Sequence, residues 1–253
     1  MISLAITLGA IAACMVVLWV VSLRLKDSSI VDLFWGFGFV IVAWLSLGLH
    51  APSPRGWLVC GLVTLWGVRL SVYLTWRNHG RGEDPRYAAM RAKAGPAWAV
   101  RSLLVVFGFQ GLLMWLISMP VQFATRSLGD VGPIDLVGAA LVLIGVTFET
   151  VGDLQLAAFK ARPENKGQII TTGLWRYTRH PNYFGDAVTW WGLACFGVAA
   201  GAWPTVLSAG LMTFLLTRVS GVPMLESGMK HRPGYAEYVS RTSSFFPLPP
   251  KRG

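Results

Sequence analysis

Three stretches of this chain contain no Asp, Glu, Lys or Arg at all: Ile2–Leu23, Ser102–Thr125 and Ala187–Thr217. Each is long enough to cross the roughly 30 Å hydrocarbon layer of a bilayer as a helix. In hydrocarbon, backbone polar groups must be satisfied within the protein, and runs of this length do so by helix formation. Only 13% of the residues are charged and 54% are hydrophobic, whereas an ordinary soluble domain carries roughly 25% charged residues. There is too little polar surface to wrap a water-soluble globule. The expected fold class is all-α, a polytopic transmembrane helical bundle.

Helices are expected at about residues 2–23, 30–49, 56–76, 99–125, 133–159, 181–200 and 203–222, about seven spans in all. The turn Gly201-Ala202-Trp203-Pro204 divides the longest uncharged run, because proline is tolerated at a helix start but not in its interior. The connections at 24–29, 77–98 and 160–180, with Arg101 and the tail after 222, hold 18 of the 22 Lys and Arg residues. Arg55 and Arg126 lie alone on the other side. By the positive-inside rule this bias places the N-terminus outside and the C-terminus in the cytosol.

The net charge of +10 therefore reports topology and not a nucleic-acid partner. No compact basic helix, zinc-finger spacing or aromatic-basic sheet motif accompanies it. No basic region precedes the first apolar run and no small-residue cleavage site follows it, so that run is expected to remain as the first span. Cys14, Cys60 and Cys195 are scattered in apolar stretches, which makes neither a disulfide framework nor a metal knuckle. Without repeats, low-complexity tracts or a long linker, residues 1–253 are expected to form a single integral membrane domain, with the cofactor-binding half from about 133 to 253.

Asp32, Arg69, Glu149, Asp153, Asp186, Arg218 and Glu226 lie within apolar helices or close to their ends. An ionised group at the bilayer centre costs at least about 2.5–3.5 kcal/mol on insertion scales, so such groups usually face a protein-lined cavity. Near helix ends they can also snorkel, or pair to hold helices together. Glu149, Asp153 and Lys160 stack on one face of the fifth helix, and Asn182 and Asp186 repeat the i, i+4 arrangement on the sixth. Two polar stripes at the same end suggest a common pocket.

Between them runs Gly173-Leu-Trp-Arg-Tyr-Thr-Arg-His-Pro-Asn-Tyr-Phe-Gly-Asp186. Arg176, Arg179 and His180 offer donors to phosphates, arginine through a planar fork. A helix start at Pro181 adds free N–H groups that favour an anion. The alternative is a basic loop resting on acidic lipid headgroups. There is no Gly-x-Ser-x-Gly elbow, no Walker loop and no His pair at metal spacing. Nor does a Gly-x-Gly-x-x-Gly follow a strand, so any dinucleotide binds within the helical bundle.

The segment from Thr147 to Pro247 resembles the steroid 5-alpha-reductase superfamily, most closely its bacterial branch, the domain of unknown function 1295 proteins. Arg179-His-Pro-Asn-Tyr-Phe-Gly-Asp186 is similar to the cytosolic signature of the sterol C14 and delta-7 reductases. Its Arg-His-Pro-x-Tyr core also occurs in isoprenylcysteine carboxyl methyltransferases. The resemblance implies that Glu149, Asp153 and Lys160 stand where the steroid reductases have an Asn, an Asp and an Arg lining the NADPH pocket. It matches Asn182 and Asp186 to that family's Asn and Glu, and Arg218 to an Arg on the last helix. Asn78 and Arg81 resemble an Asn-x-Gly-Arg group that touches the cofactor, and the Arg69 position is also Arg there.

Two departures accompany it. The steroid enzymes hold the enone carbonyl with a Gln-Glu pair on the second helix and a Tyr on the third. Here the second helix offers Val31-Asp32-Leu-Phe-Trp35-Gly36, and Trp66 stands where that Tyr would be. Near the C-terminus, Pro223-Met-Leu-Glu226 and Tyr235-Ala-Glu-Tyr238 look more like the membrane methyltransferases.

The resemblance thus implies NADPH in a cytosol-open cavity, with Arg81, Arg176 and Arg179 at its phosphates and Asp153, Asn182 and Asp186 on ribose and carboxamide groups. Arg69, Asn78, Glu149, Lys160, His180, Tyr183, Arg218 and Tyr235 complete the expected cofactor-binding set. Hydride would pass to an activated C=C bond of a steroid-like or other apolar lipid substrate. Asp32, Trp35 or Tyr73 would polarise that substrate, and Trp66 would pack against the nicotinamide or the substrate. The membrane is expected to be a bacterial inner membrane. Two other readings stay open: an S-adenosylmethionine-dependent methyltransferase, and a lipid-binding protein without catalysis.

Overall fold

In the structure, a computed structural model that describes residues 2–251, the apolar runs are helices. The described residues form no strand beyond an isolated bridge between Thr178 and Ser243. The helices are α1 (Ile2–Leu25), α2 (Ile30–Gly48), α3 (Pro54–Asn78), α4 (Pro85–Ile117), α5 (Met119–Ala124), α6 (Pro133–Lys160), α7 (Pro181–Ala199), α8 (Trp203–Ser227) and α9 (Tyr235–Arg241). Six of them, α1, α2, α3, α4, α6 and α8, are long and apolar enough to cross a membrane. The protein is a multi-pass integral membrane protein with an all-α fold.

The remaining expected span, α7, is a helix of 19 residues, but it is not one of the six. Pro181, Asn182, Tyr183 and Asp186 crowd polar groups into its first two turns. Two spans are also less regular than their hydropathy suggests. α4 begins as a short polar segment, Pro85–Ala94, and carries a π-helical stretch at Leu103–Gly108. α8 carries another at Leu215–Val219 and breaks before Val222–Ser227. Both hold an extra residue per turn, the geometry of π-bulges that recur at functional sites.

By contact the chain groups into two compact units, Met1–Gly132 with Phe196–Trp203, and Pro133–Cys195 with Pro204–Gly253. In the first, α2 and α3 touch backbone to backbone. A Cβ on Gly36 would collide with the Gly67 carbonyl oxygen, and one on Gly67 with that of Gly36. Small residues matter here because helices in lipid associate through close packing, with no hydrophobic force between them. Around this contact lie the buried side chains of Phe39, Val63 and Trp66.

The second unit repeats the device between α6 and α7. Gly145 and Gly152 are seven residues apart on α6, and Gly185 and Gly192 are seven apart on α7, so each pair lies along one helix face two turns apart. A Cβ on Gly185 would meet the Gly145 carbonyl oxygen and the Glu149 nitrogen at 2.5 Å, and one on Gly192 would meet the Gly138 carbonyl oxygen at 2.6 Å. The tail beyond α9 then folds back onto the loop before α7. The Arg179 N–H donates to the Ser243 carbonyl at 2.9 Å, and the Leu248 N–H to that of Tyr177 at 3.0 Å.

Candidate functional site

The glycine contact between α6 and α7 determines which polar side chains meet. Gly152 lets the start of α7 approach, since a Cβ there would lie 3.1 Å from Pro181 Cγ and 3.2 Å from the Asn182 nitrogen. Asp153, the next residue, thereby receives a hydrogen bond from Asn182 Nδ2 at 3.1 Å. Glu149 and Asp153 are both buried, at 4% and 3% exposure. A carboxylate only accepts, so Asp153 orients the Asn182 amide with its nitrogen inward. Asn182 Oδ1 is then left buried without a donor from the chain. A buried carbonyl in that state costs about 1–3 kcal/mol, and a ligand amide or hydroxyl would relieve it. Asp186 follows one turn further along α7, whereas Lys160 and Arg218 are exposed.

A second cluster lies at the entry to α7. Arg179 was expected to meet a phosphate, but it is 7% exposed and its guanidinium is engaged within the unit. Nε donates to Glu226 Oε1 at 2.8 Å, and Nη1 donates to the Thr242 carbonyl at 2.6 Å. It ties loop, α8 and tail together. His180 Nε2 lies 3.1 Å from the same Glu226 oxygen, and its ring stacks on Tyr183 at 5.6 Å and 11°. Because the carboxylate can only accept, Nε2 carries the proton and Nδ1 presents a lone pair.

Burial pushes the His180 pKa below its ordinary 6.5, against the raising pull of the Glu226 hydrogen bond and charge, with the Arg179 charge lowering it further. Below that unfolded value the unfolded chain takes up a proton that the buried ring refuses. The contribution of neutral His180 is therefore complete above about pH 6.5 and is lost as the pH falls through it. Thermal melts between about pH 7.5 and 5.5 should show the midpoint falling on acidification, with a smaller fall in His180→Gln. Equal falls in both proteins would remove His180 from the account.

Arg176, by contrast, is exposed and lines a cavity of about 590 Å³ together with Thr171, Thr172, Glu237, Arg241 and Thr242, among others. Arg241 was not among the expected residues. Its sequence signal is its place at the end of the stretch Tyr235-Ala-Glu-Tyr238-Val-Ser-Arg241, in a basic tail. Tyr235, which was expected, is a buried residue in the first turn of α9.

The remaining expected residues belong to the first unit. Asp32 sits in the first turn of α2, where Oδ1 accepts from Tyr87 Oη at 2.7 Å and Oδ2 from Arg86 Nη2 at 2.9 Å. The Tyr87 hydroxyl in turn accepts from Gln110 Nε2 at 3.0 Å. Tyr87 is the residue that sequence reading missed; its nearest cue is the helix start Asp84-Pro85-Arg86. Trp66 is wholly buried, edge-on to Phe39 at 5.6 Å. Arg69 and Arg77 approach the Tyr73 ring at 5.4 and 5.7 Å. Asn78 Oδ1 accepts from Arg77 Nε, and the exposed Arg81 closes a turn onto the Asn78 carbonyl. Asp153 with Asn182, and Arg179 with His180 and Glu226, are thus brought together in one unit, while Asp32, Trp66 and Tyr73 lie in the other.

Comparison with known proteins adds kinship. An uncharacterized protein of the fission yeast Schizosaccharomyces pombe is 26% identical over 266 residues, covering 91% of this chain and 76% of the yeast protein. No solved structure matches the chain. Residues 18–242, a range that takes in every candidate residue above, match the profile of the family described as "Protein of unknown function (DUF1295)". The chain is a member of the DUF1295 family.

Proposed function

We propose that this protein is a membrane-embedded, NADPH-dependent reductase that reduces an activated C=C bond of an apolar lipid, in the manner of the steroid 5-alpha-reductases. One observation carries the reading. A buried carboxylate on α6 holds a partly buried amide on α7, and the oxygen of that amide is a buried acceptor without a donor from the chain. This acceptor suits a ribose hydroxyl or the carboxamide N–H of a nicotinamide nucleotide, and the Glu149 and Asp153 carboxylates suit hydroxyl donors. When bound, the nucleotide would supply a hydride. The chain's own part would be to orient it through Asp153 and Asn182 and to keep water out with the packed α6–α7 interface.

The Arg179–Glu226–His180 cluster supports a second reading, because the Pro-x-x-Glu and Tyr-x-x-Tyr pattern of the membrane methyltransferases falls on Glu226, Tyr235 and Tyr238. S-adenosylmethionine would then take the place of NADPH.

Titration of the detergent-purified protein with NADPH, NADH and S-adenosylmethionine separates the two readings, because a ligand bound only by the folded state stabilises it by RT ln(1 + [L]/Kd), about 2.7 kcal/mol at a hundredfold excess over Kd. NADPH should raise the melting midpoint, and Asn182→Ala should abolish most of that rise. A rise with S-adenosylmethionine alone would replace the reductase with a methyltransferase. No rise with any of the three would leave a lipid-binding protein.

A further inference from the structure

The cavity beside Arg176 owes its shape to the way the tail closes on the loop before α7. Tyr238 Oη donates to the Trp175 carbonyl at 2.5 Å, and the Lys251 N–H donates to the Arg241 carbonyl at 2.9 Å. The result is an open cleft of about 590 Å³, well inside the size range of small-ligand pockets, roughly 300–1,000 Å³.

Its lining is biased toward anions. Arg176 and Arg241 bring two fixed positive charges, and Thr171, Thr172 and Thr242 bring three hydroxyls. The opposing charge is Glu237, which pairs with Arg241 at 3.0 Å, with both side chains well exposed. Exposed pairs of this kind contribute little, about 0–1 kcal/mol. A phosphomonoester carries about −1.5 to −2 charges at neutral pH, so it can take Arg241 from Glu237. Arginine's planar fork matches phosphate oxygens, and such charge-assisted contacts are the strong ones.

The loop before α7 and the tail, which line this cleft, also expose large apolar groups: Tyr177 at 42%, Phe246 at 65% and Leu248 at 55%. In a membrane protein, aromatic and aliphatic side chains beside basic ones suit the headgroup region of a bilayer.

We propose that this cavity binds the phosphate of a phosphomonoester, with Arg176 and Arg241 taking its charge and the exposed apolar Phe246 and Leu248 of the same tail favouring a phospholipid as its carrier. This is a second site and does not depend on the reductase reading. Arg241 and the three threonines take no part in the α6–α7 cluster.

The test is calorimetric titration of the detergent-purified full chain with dioctanoyl phosphatidic acid, with dioctanoyl phosphatidylcholine and inorganic phosphate as comparators. Saturable binding of the phosphatidic acid but not the phosphatidylcholine is expected. Arg176→Ala and Arg241→Ala should each weaken it about tenfold or more, in line with a lost hydrogen bond between charged groups. Glu237→Gln should tighten it, which a merely structural role for Arg241 would not produce. If inorganic phosphate binds as tightly with the same dependence on the variants, the phosphomonoester chemistry stands and its carrier is a soluble metabolite. Absence of saturable binding, or binding unchanged in all three variants, overturns the proposal. So does competitive displacement by NADPH, which would make the cavity part of the cofactor site. A protein that binds phosphatidic acid but no nucleotide would refute the reductase reading and leave this one intact.

Discussion

Glu226→Ala should be among the most destabilising single substitutions in this protein. It removes the carboxylate from Arg179, whose side chain is 8% exposed and is held at 2.8 Å, and from His180, whose side chain is wholly buried. Breaking a buried ion pair by deleting one partner costs about 3–5 kcal/mol, because an uncompensated charge is left behind. Glu226 is itself 21% exposed, which lets water replace part of its charge and favours the lower end of that range. At roughly 2–4 °C per kcal/mol for a chain of this size, the melting midpoint should fall by on the order of 10 °C. Glu226→Leu combined with Arg179→Met should recover most of the loss, since apolar replacement of both partners is often close to neutral. If Glu226→Ala melts within a degree or two of the parent, the cluster is solvated and does not join loop to tail.

Gly185→Ala should produce a loss of similar size by a different route. Its new methyl group would meet two backbone atoms of α6 at 2.5 Å, and backbone, unlike a side-chain end, cannot swing aside. The helices must part. Overpacking typically costs about 1–3 kcal/mol, and a contact made by rigid backbone belongs at the top of that range. A fall of roughly 6–12 °C in the melting midpoint follows from the same scaling. Gly210→Ala is the matched control: nothing lies within 4 Å of a Cβ there, and alanine in a helix interior gains up to about 1 kcal/mol over glycine. Gly185→Ala should also blunt stabilisation by NADPH, because Asn182 rides on the displaced helix. If the two alanine variants are equally stable, α6 and α7 are not held by the glycine contact.

The long uncharged runs made most of the fold legible in advance. Helices α1, α2, α3, α6 and α8 follow from hydropathy, and Pro181 and the Gly201–Pro204 turn mark the start and end of α7. What hydropathy could not reveal is irregularity within a span. The π-helical stretches at Leu103–Gly108 and Leu215–Val219 have no compositional signature, because they change the hydrogen-bond register and not the polarity. The stripes Glu149–Asp153 and Asn182–Asp186 were visible as spacing, yet their meeting depends on a contact between glycines, which the spacing of the polar residues does not encode. Long-range pairing was the least accessible. Arg179 finds Glu226 across 47 residues and Asp32 finds Tyr87 across 55, so an arginine that looked free to meet phosphate is in fact a buried tie.

The reductase reading is tested most directly by following the transferred atom. Membranes containing the protein would be incubated with a panel of enone lipids, NADPH deuterated at the transferring position of its nicotinamide, and S-adenosylmethionine labelled at its methyl group, and the lipids analysed by mass spectrometry. The prediction is a reduced lipid that has gained one deuterium from the nucleotide, transferred as deuteride, and a proton from solvent, with Asn182→Ala lowering its yield. Labelled methyl groups in the lipid, with no deuterium transferred, would contradict the account and establish methyl transfer in its place.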